Sequence, residues 1–422
     1  MYLLEKFLGS EFGRINAIID AEQGMLADFV NLVASVSYPF PEVLQALANP
    51  LFVFPTEGTT GERYFPGAAA IDEVETYARE LVSELFSLPP SYTSSIQPHS
   101  GTQANQIVFA AVLRSAEDVV LTLRPQDGGH VSHSIGPRGR ANVVYYGLDA
   151  EGRIDYEELR RLTVQRRPRL IVAGGSSYPR EVDFRAIGDA AAGVDALVLA
   201  DISHSALFAM TGQHAPIFPY AQFATLNMQK TLRGPCGGLL IYDRMYANHV
   251  RDATFPRVQG GPVENALFAK AVCLAKLRSI DRAAYARQVV ENARAMAATL
   301  AESFKVVSGG TDSHIVLLDL RTTTLSGLDA ELVCESHRIL ANRNLVPGDL
   351  RPPTVASGLR LGSTAVTTLG YRAVDAAHLA EALAAVLAGR DVAWADETIS
   401  ALLIRFQAGL STASAAIGSK AV

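Results

Sequence analysis

Cysteine is scarce: the 422-residue chain holds only Cys236, Cys273 and Cys334. The three lie far apart with no paired spacing. That excludes a disulfide framework and a cysteine zinc site, fits a reducing compartment, and leaves no metal expected. No cluster of Lys and Arg stands out, and the formal net charge is −6. A nucleic-acid-binding footprint is therefore not expected. No apolar run reaches the length of a membrane span. The opening run Met1-Tyr2-Leu3-Leu4-Glu5-Lys6 carries an acid where a signal peptide needs its apolar centre. Internal repeats are lacking. The only biased segment is the Ala/Ser-rich tail, residues 411–422, which is expected to fray. These absences together predict a soluble, cytoplasmic protein with neither nucleic-acid nor membrane partners.

The composition, 49% hydrophobic and 19% charged, suffices for a large core plus a second domain. Residues 71–86 read as an amphipathic helix and 103–115 as a buried one. Short apolar runs then alternate with helical stretches, at 119–121, 141–146, 170–173, 196–200, 223–226 and 238–242. Strands that are apolar throughout imply a largely parallel sheet covered by helices on both faces, an α/β fold. The organisation expected is an N-terminal arm (1–35), a large domain (36–280), an Ala-rich connecting helix (281–303) and a small α+β domain (304–422). In the last, strands are expected at 304–307, 314–318 and 359–361, with helices at 329–340 and 374–387. Ligands of open parallel sheets sit at the carboxyl ends of the strands, and several polar motifs follow predicted strands.

Lys230 lies between an apolar run and the glycine-rich Gly234-Pro235-Cys236-Gly237-Gly238. A lysine leaving a buried strand can be desolvated into a nucleophile toward aldehydes, as a covalent link to pyridoxal phosphate (PLP) requires. The plain alternative is a surface lysine beside a turn. Asp201 ends the 196–200 run and can pair with a pyridinium nitrogen, or simply cap a helix. His99-Ser100-Gly101-Thr102 opens the 103–115 helix, where free N–H groups can hold a phosphate or Ser100 or Thr102 can cap. His130, after Gly128-Gly129, can stack on a flat ring or sit in solvent. Arg360, inside an apolar strand, needs a partner: a substrate carboxylate or an internal acid. Glu57, in a glycine-rich loop, is an acid/base candidate or a solvated loop acid.

Taken together, these motifs resemble serine hydroxymethyltransferase, a fold-type I PLP enzyme. The resemblance is colinear over residues 31–372. It runs through Glu57-Gly58 with Arg63-Tyr64, Gln97-Pro98-His99-Ser100-Gly101, Gly128-Gly129-His130 and Tyr178-Pro179-Arg180. It continues through Asp201 with His204, Lys230-Thr231-Leu232-Arg233-Gly234-Pro235, Gln259-Gly260-Gly261-Pro262, Ser308-Gly309-Gly310-Thr311-Asp312 and Ser357-Gly358 with Arg360.

The resemblance implies that Lys230 forms the aldimine, Asp201 pairs with the pyridine nitrogen and His130 stacks on the ring. It gives the phosphate to Ser100, Gly101 and Thr102, and the ring hydroxyl region to Ser176 and His204. Arg360 and Ser35 would hold the substrate carboxylate, with His204 also beside the substrate. Glu57 would move a proton at the β-hydroxyl, with Tyr64 in its loop. The family counterparts of Glu57, the tyrosine loop and Gly261 reach in from a partner subunit, which implies a homodimer or homotetramer with shared active sites.

Several positions depart from the family pattern. Pro55 and Phe65 stand where tyrosines are expected, and Val36 and Ser37 replace an acid and an amide. Asn227-Met228-Gln229 replaces a threonine-histidine run, and Cys236 an arginine. The losses remove ionisable groups around the substrate's β-substituent; glutamine cannot titrate near neutrality as histidine does. The expectation drawn is cleavage or formation of the Cα–Cβ bond of a β-hydroxy-α-amino acid through a glycine quinonoid, as a folate-independent aldolase or threonine-type transaldolase with an aldehyde acceptor. The alternatives are the family's own reaction of serine with tetrahydrofolate and a non-catalytic PLP-binding homologue. Asn344 and Tyr64 resemble folate-contacting positions, so tetrahydrofolate stays open.

Overall fold

The computed structural model describes residues 9–50 and 53–418, with side chains to 406. The opening run, residues 1–6, lies outside the described residues, as do the last four of the tail. Residues 411–418, expected to fray, continue the Val392–Gly418 helix. Contacts divide the chain into two compact units. One comprises Glu42–Arg287 with Leu345–Asp349; the other comprises Met1–Pro41, Gln288–Asn344 and Leu350–Val422.

The larger unit is built on a seven-stranded sheet. Its spatial order is Tyr92–Ser95, Gly238–Asp243, Phe223–Asn227, Leu197–Asp201, Leu170–Ala173, Val119–Leu123 and Asn142–Tyr146. Only Gly238–Asp243 runs against its neighbours. The edge strand Tyr92–Ser95 escaped the sequence pattern because its Tyr-Thr-Ser-Ser composition has no apolar run. The central strands Leu170–Ala173 and Leu197–Asp201 are buried at every residue. Leu170, Val172, Leu197 and Leu199 pack with Ile107, Val108 and Phe109 of the Gly101–Val112 helix. Ile171 and Val198 alternate with them and face the other side, where the Phe184–Ala192 helix packs on both strands. Each such side chain contributes about 1.5–3 kcal/mol by leaving water.

At the carboxyl ends of these strands the loops interlock through glycine. Gly174 has φ +116°, and a Cβ there would lie 2.0 Å from the Asp201 carbonyl oxygen. A Cβ at Gly175 would lie 2.4 Å from the Gly128 carbonyl oxygen. Only glycine permits this approach, and it draws the loops after three strands into one patch.

The smaller unit holds a four-stranded antiparallel sheet, in the order Lys305–Val306, Ile315–Asp319, Gly358–Gly362, Asn342–Asn344. Its described helices include Gly13–Asp28, most of Arg282–Leu300, Gly327–Ser336, Thr364–Leu369, Ala373–Ala388 and the C-terminal one. The helix expected over 329–340 is corrected: it stops at Ser336, and Arg338 takes φ +60°. Ile339 and Leu340 then pair as a short parallel strand with Val30 and Asn31. A turn in the left-handed region ends a helix whatever its periodicity. No described helix is long and apolar enough to cross a membrane.

Candidate active site

Asp201 closes its strand with its carboxylate in a buried polar network. Oδ2 accepts from His133 Nε2 at 2.8 Å and Asn105 Nδ2 at 2.9 Å, and Oδ1 from the Ser203 N–H at 3.0 Å. A carboxylate only accepts, so His133 carries its proton on Nε2. Burial alone would push the Asp201 pKa up. The His133 bond and charge, then Asn105 and Ser203, outweigh that and hold it below its ordinary value. The network runs deeper: Thr225 Oγ1 donates to Asn105 Oδ1 at 2.6 Å, and Asn105 Nδ2 also reaches Ser132 Oγ at 3.3 Å. Ser132 Oγ is 2.7 Å from His130 Nδ1, which ties His130 to the same network.

Asn105, Ser132, His133 and Thr225 were not singled out from the sequence. Signals existed: His133 falls three residues after His130, on the Val131–Ile135 helix, and Thr225 interrupts an apolar strand.

Lys230 follows the Phe223–Asn227 strand and is buried at 9% exposure, with Nζ 3.0 Å from His204 Nε2. The plain surface-lysine alternative is thereby excluded. The residues before it are locked to backbone or core. Asn227 Oδ1 accepts from the Gly101 N–H at 2.8 Å, Met228 is wholly buried, and Gln229 Oε1 accepts from the Gly237 N–H at 3.3 Å. Cys236 is exposed. Beneath the Gly237–Gly238 turn, the fully buried Lys270 donates to the carbonyls of Ile96, Pro98 and Gly238 at 2.6, 2.8 and 3.1 Å. Those bonds fix the segment leading into His99 and Ser100.

Ser100 is the N-cap of the Gly101–Val112 helix, its side chain accepting from the Gln103 N–H at 3.1 Å. Gly101 and Thr102 form the first turn. Ser176 lies in the loop after Leu170–Ala173, its N–H donating to the Gly128 carbonyl at 2.8 Å. Lys230 and His204, and the Asp201 network that reaches His130, thus arise from neighbouring strand ends of one unit.

Glu57 forms a second group in the same unit. Its side chain lies over the Gly260–Gly261 turn: a Cβ on Gly261 would be 3.5 Å from Glu57 Cγ. Tyr64, 70% exposed, tilts against Phe255 with ring centroids 5.1 Å apart. No hydrogen bond among the described residues joins Glu57 to Lys230. In the smaller unit, Arg360 sits in the Gly358–Gly362 strand and donates Nε–H to Asn342 Oδ1 at 3.2 Å. Burial lowers its guanidinium to about 10, so it stays charged at neutral pH. Ser35 lies in the turn beside Ala34, whose backbone a Cβ on Gly362 would strike at 2.4 Å.

The residues of the larger unit fit PLP. A buried amine and an ionised, triply bonded carboxylate lie at adjoining strand ends. The helix N-terminus already receives an oxygen, Asn227 Oδ1, on the Gly101 N–H, as it would a phosphate oxygen. The buried His133 Nδ1 has no hydrogen-bond partner among the described residues.

Comparison with known proteins gives a single answer. The family model described as "Serine hydroxymethyltransferase" matches residues 10–383. A protein named serine hydroxymethyltransferase from Ralstonia pickettii (strain 12J) is 38% identical over 377 residues, covering 88% of this chain and 90% of its own. Another, serine hydroxymethyltransferase 1 from Ralstonia nicotianae, is 38% identical over 375 residues, covering 88% and 89%. With the fold-type I architecture and a lysine, carboxylate and helix N-terminus suited to PLP, the match over most of its length shows that the chain belongs to the serine hydroxymethyltransferase family of PLP-dependent enzymes.

Proposed function

We propose that the enzyme catalyses the family's own reaction, exchange of a one-carbon unit between serine and glycine with tetrahydrofolate as co-substrate. The observation that carries this is the near full-length match to proteins named for that activity. It displaces the folate-independent aldolase expected from the departures around Lys230, which becomes the second reading.

PLP, when bound, supplies the electron sink that accepts the pair left at Cα as Cα–Cβ breaks. Lys230 holds the cofactor through its amine, helped by His204 at 3.0 Å. Asp201, kept ionised by His133, Asn105 and the Ser203 N–H, holds a proton on the ring nitrogen. His130 stacks on the ring; Ser100, Gly101, Thr102 and Ser176 bind its polar rim, and Gly261 approaches the phosphate. Arg360, with Ser35, holds the amino-acid carboxylate bidentately. Glu57 takes or returns the proton at the β-hydroxyl, and Tyr64 flanks it. We further propose a cytoplasmic homodimer or homotetramer, in which Glu57, Tyr64 and Gly261 serve the neighbouring subunit's site.

The second reading has its own observation. Asn227, Met228 and Gln229 are engaged by backbone or core, and Cys236 carries no charge of the arginine kind. The polar equipment near the reacting carbon is therefore reduced. Product analysis separates the readings. Purified enzyme is given serine with and without tetrahydrofolate, and threonine with and without an aldehyde panel. Serine turnover that depends on tetrahydrofolate supports the first; threonine turnover that ignores tetrahydrofolate, with serine inert, refutes it.

A further inference from the structure

Glu57 sits in a hairpin whose flanks are pinned from several sides. Thr56 Oγ1 donates to Glu264 Oε1 at 2.8 Å, across 208 residues of sequence. The carbonyls of Thr56 and Gly58 accept from Arg63 Nη1 at 2.7 and 2.9 Å. Gly58 O also accepts from Gln97 Nε2 at 3.0 Å, and Glu57 O from the Tyr64 N–H at 3.1 Å. Arg63 is itself held by Asp72 and Glu75 of the Ala69–Leu85 helix, at 2.8 and 2.9 Å. Gly58 has φ +98°, where a Cβ would lie 2.3 Å from the Glu62 carbonyl oxygen, so the hairpin closes only around glycine.

One contact in this set is unlike the rest. Glu264 is a carboxylate at 7% exposure, and among the described residues its side chain has one hydrogen-bond donor, Thr56. It opens the Glu264–Ser279 helix, whose N-terminus favours an acid. The short segment 259–264 therefore grips Glu57 twice. Gly260 and Gly261 lie under its side chain, with a Cβ on Gly260 coming 3.8 Å from Oε1, while Glu264 fixes the residue just before it. A shift of Thr56 along the chain turns the Cα–Cβ direction of Glu57 directly.

We propose that Thr56 and Glu264 form a positioning pair that aims the Glu57 carboxylate for proton transfer at the substrate's β-hydroxyl. The inference rests on the reading of Glu57 given above, and deepens it. Among the described residues, no hydrogen bond joins Thr56 or Glu264 to Lys230, His204 or Asp201, so the pair is expected to act chiefly on steps that use Glu57.

The test uses the PLP-loaded enzyme. Thr56→Val removes the hydroxyl and keeps the shape; Thr56→Ser keeps the hydroxyl. Cleavage of serine or threonine is measured beside exchange of glycine's α-proton with solvent deuterium, which needs no β-hydroxyl. Thr56→Val is expected to lower kcat for cleavage about 10–100-fold, the sensitivity expected for ångström-scale misplacement of a reacting group. KM, cofactor affinity and glycine exchange are expected to hold. Thr56→Ser is expected to restore cleavage. Glu264→Met, a second route if Thr56→Val folds poorly, is expected to match it, and the double variant to be no worse than either single one. Thr56→Val at the wild-type cleavage rate while Glu57→Gln is impaired would overturn the pair's role alone. Glu57→Gln at the wild-type rate would overturn the reading of Glu57 and the pair with it. Parallel loss of cleavage and glycine exchange would also overturn it, marking general damage.

Discussion

Replacing Asn105 with leucine tests whether Asp201 is held ionised by its donors. Asn105 is 1% exposed, so leucine keeps the site filled. It removes one of three donors to a buried carboxylate, the Nδ2 bond of 2.9 Å. A hydrogen bond to a charged group contributes about 1.5–3 kcal/mol. It also strands Thr225 Oγ1, which had donated to Asn105 Oδ1 at 2.6 Å, at a further cost of about 1 kcal/mol. The single variant is thus expected to lose about 2.5–4 kcal/mol at pH 7. Asn105→Leu with Thr225→Val removes the stranded hydroxyl and recovers about 1 kcal/mol of that. The pH dependence follows from the lowered Asp201 pKa. Its ionised form adds stability that is fully present above the ordinary value of 3.8 and is lost as pH falls through the folded value. Without Asn105 the folded value moves up, because one of the bonds that favour the ionised form is gone. Wild type and variant therefore lose this stability in parallel as pH falls below 3.8, and the gap between them closes only below the variant's own folded value. Urea unfolding at pH 7, 5, 3 and 2 measures this. No recovery on adding Thr225→Val would show that Asn105 acts by packing alone.

Three further outcomes follow from the site. Lys230→Ala is expected to abolish borohydride capture of the cofactor and its visible absorption on the protein; capture at wild-type yield would place the covalent link on another lysine. Arg360→Lys keeps the charge but loses the planar fork, so KM for the amino acid is expected to rise about 10-fold or more with kcat less affected. Steady-state kinetics with the two effects reversed would remove Arg360 from carboxylate binding. Glu57→Gln is expected to lower cleavage of the β-hydroxy acid by about 10²–10⁴-fold while glycine α-proton exchange persists; joint loss of both would deny the division of roles.

The apolar strands were legible because a sheet buried on both faces has no choice of residue type, and the Leu197–Asp201 and Phe223–Asn227 ends delivered Asp201 and Lys230. Tyr92–Ser95 was invisible since its partner strand, not its own residues, makes it a strand. The supports of Asp201 were harder to read. Asn105 and Asp201 are 96 residues apart, and His133 and Asp201 are 68. No local pattern announces a hydrogen bond that only the closed sheet brings together. The same holds for Thr56 and Glu264, unremarkable at their own positions.

The departures beside Lys230 bear on the substrate in a way the sequence could not express. Read as letters, Asn227, Gln229 and Cys236 are losses of titratable or charged groups. In the fold, two of them have found work: Asn227 Oδ1 caps the Gly101 N–H, and Gln229 Oε1 caps the Gly237 N–H. Their amide oxygens are thus bound to backbone donors. Gln229→His with Cys236→Arg would reinstate an ionisable ring and a fixed positive charge on either side of Gly237, whose N–H the imidazole could still accept. If those groups serve the folate reaction, the double variant is expected to raise the ratio of tetrahydrofolate-dependent serine turnover to threonine cleavage about 10-fold, the scale of one positioned acid–base or charged group in part of its range. Competition between serine with tetrahydrofolate and threonine in one vessel reads that ratio directly. An unchanged ratio, with the fold and cofactor affinity intact, would show that substrate preference lies outside the lysine loop and that the departures there are purely structural.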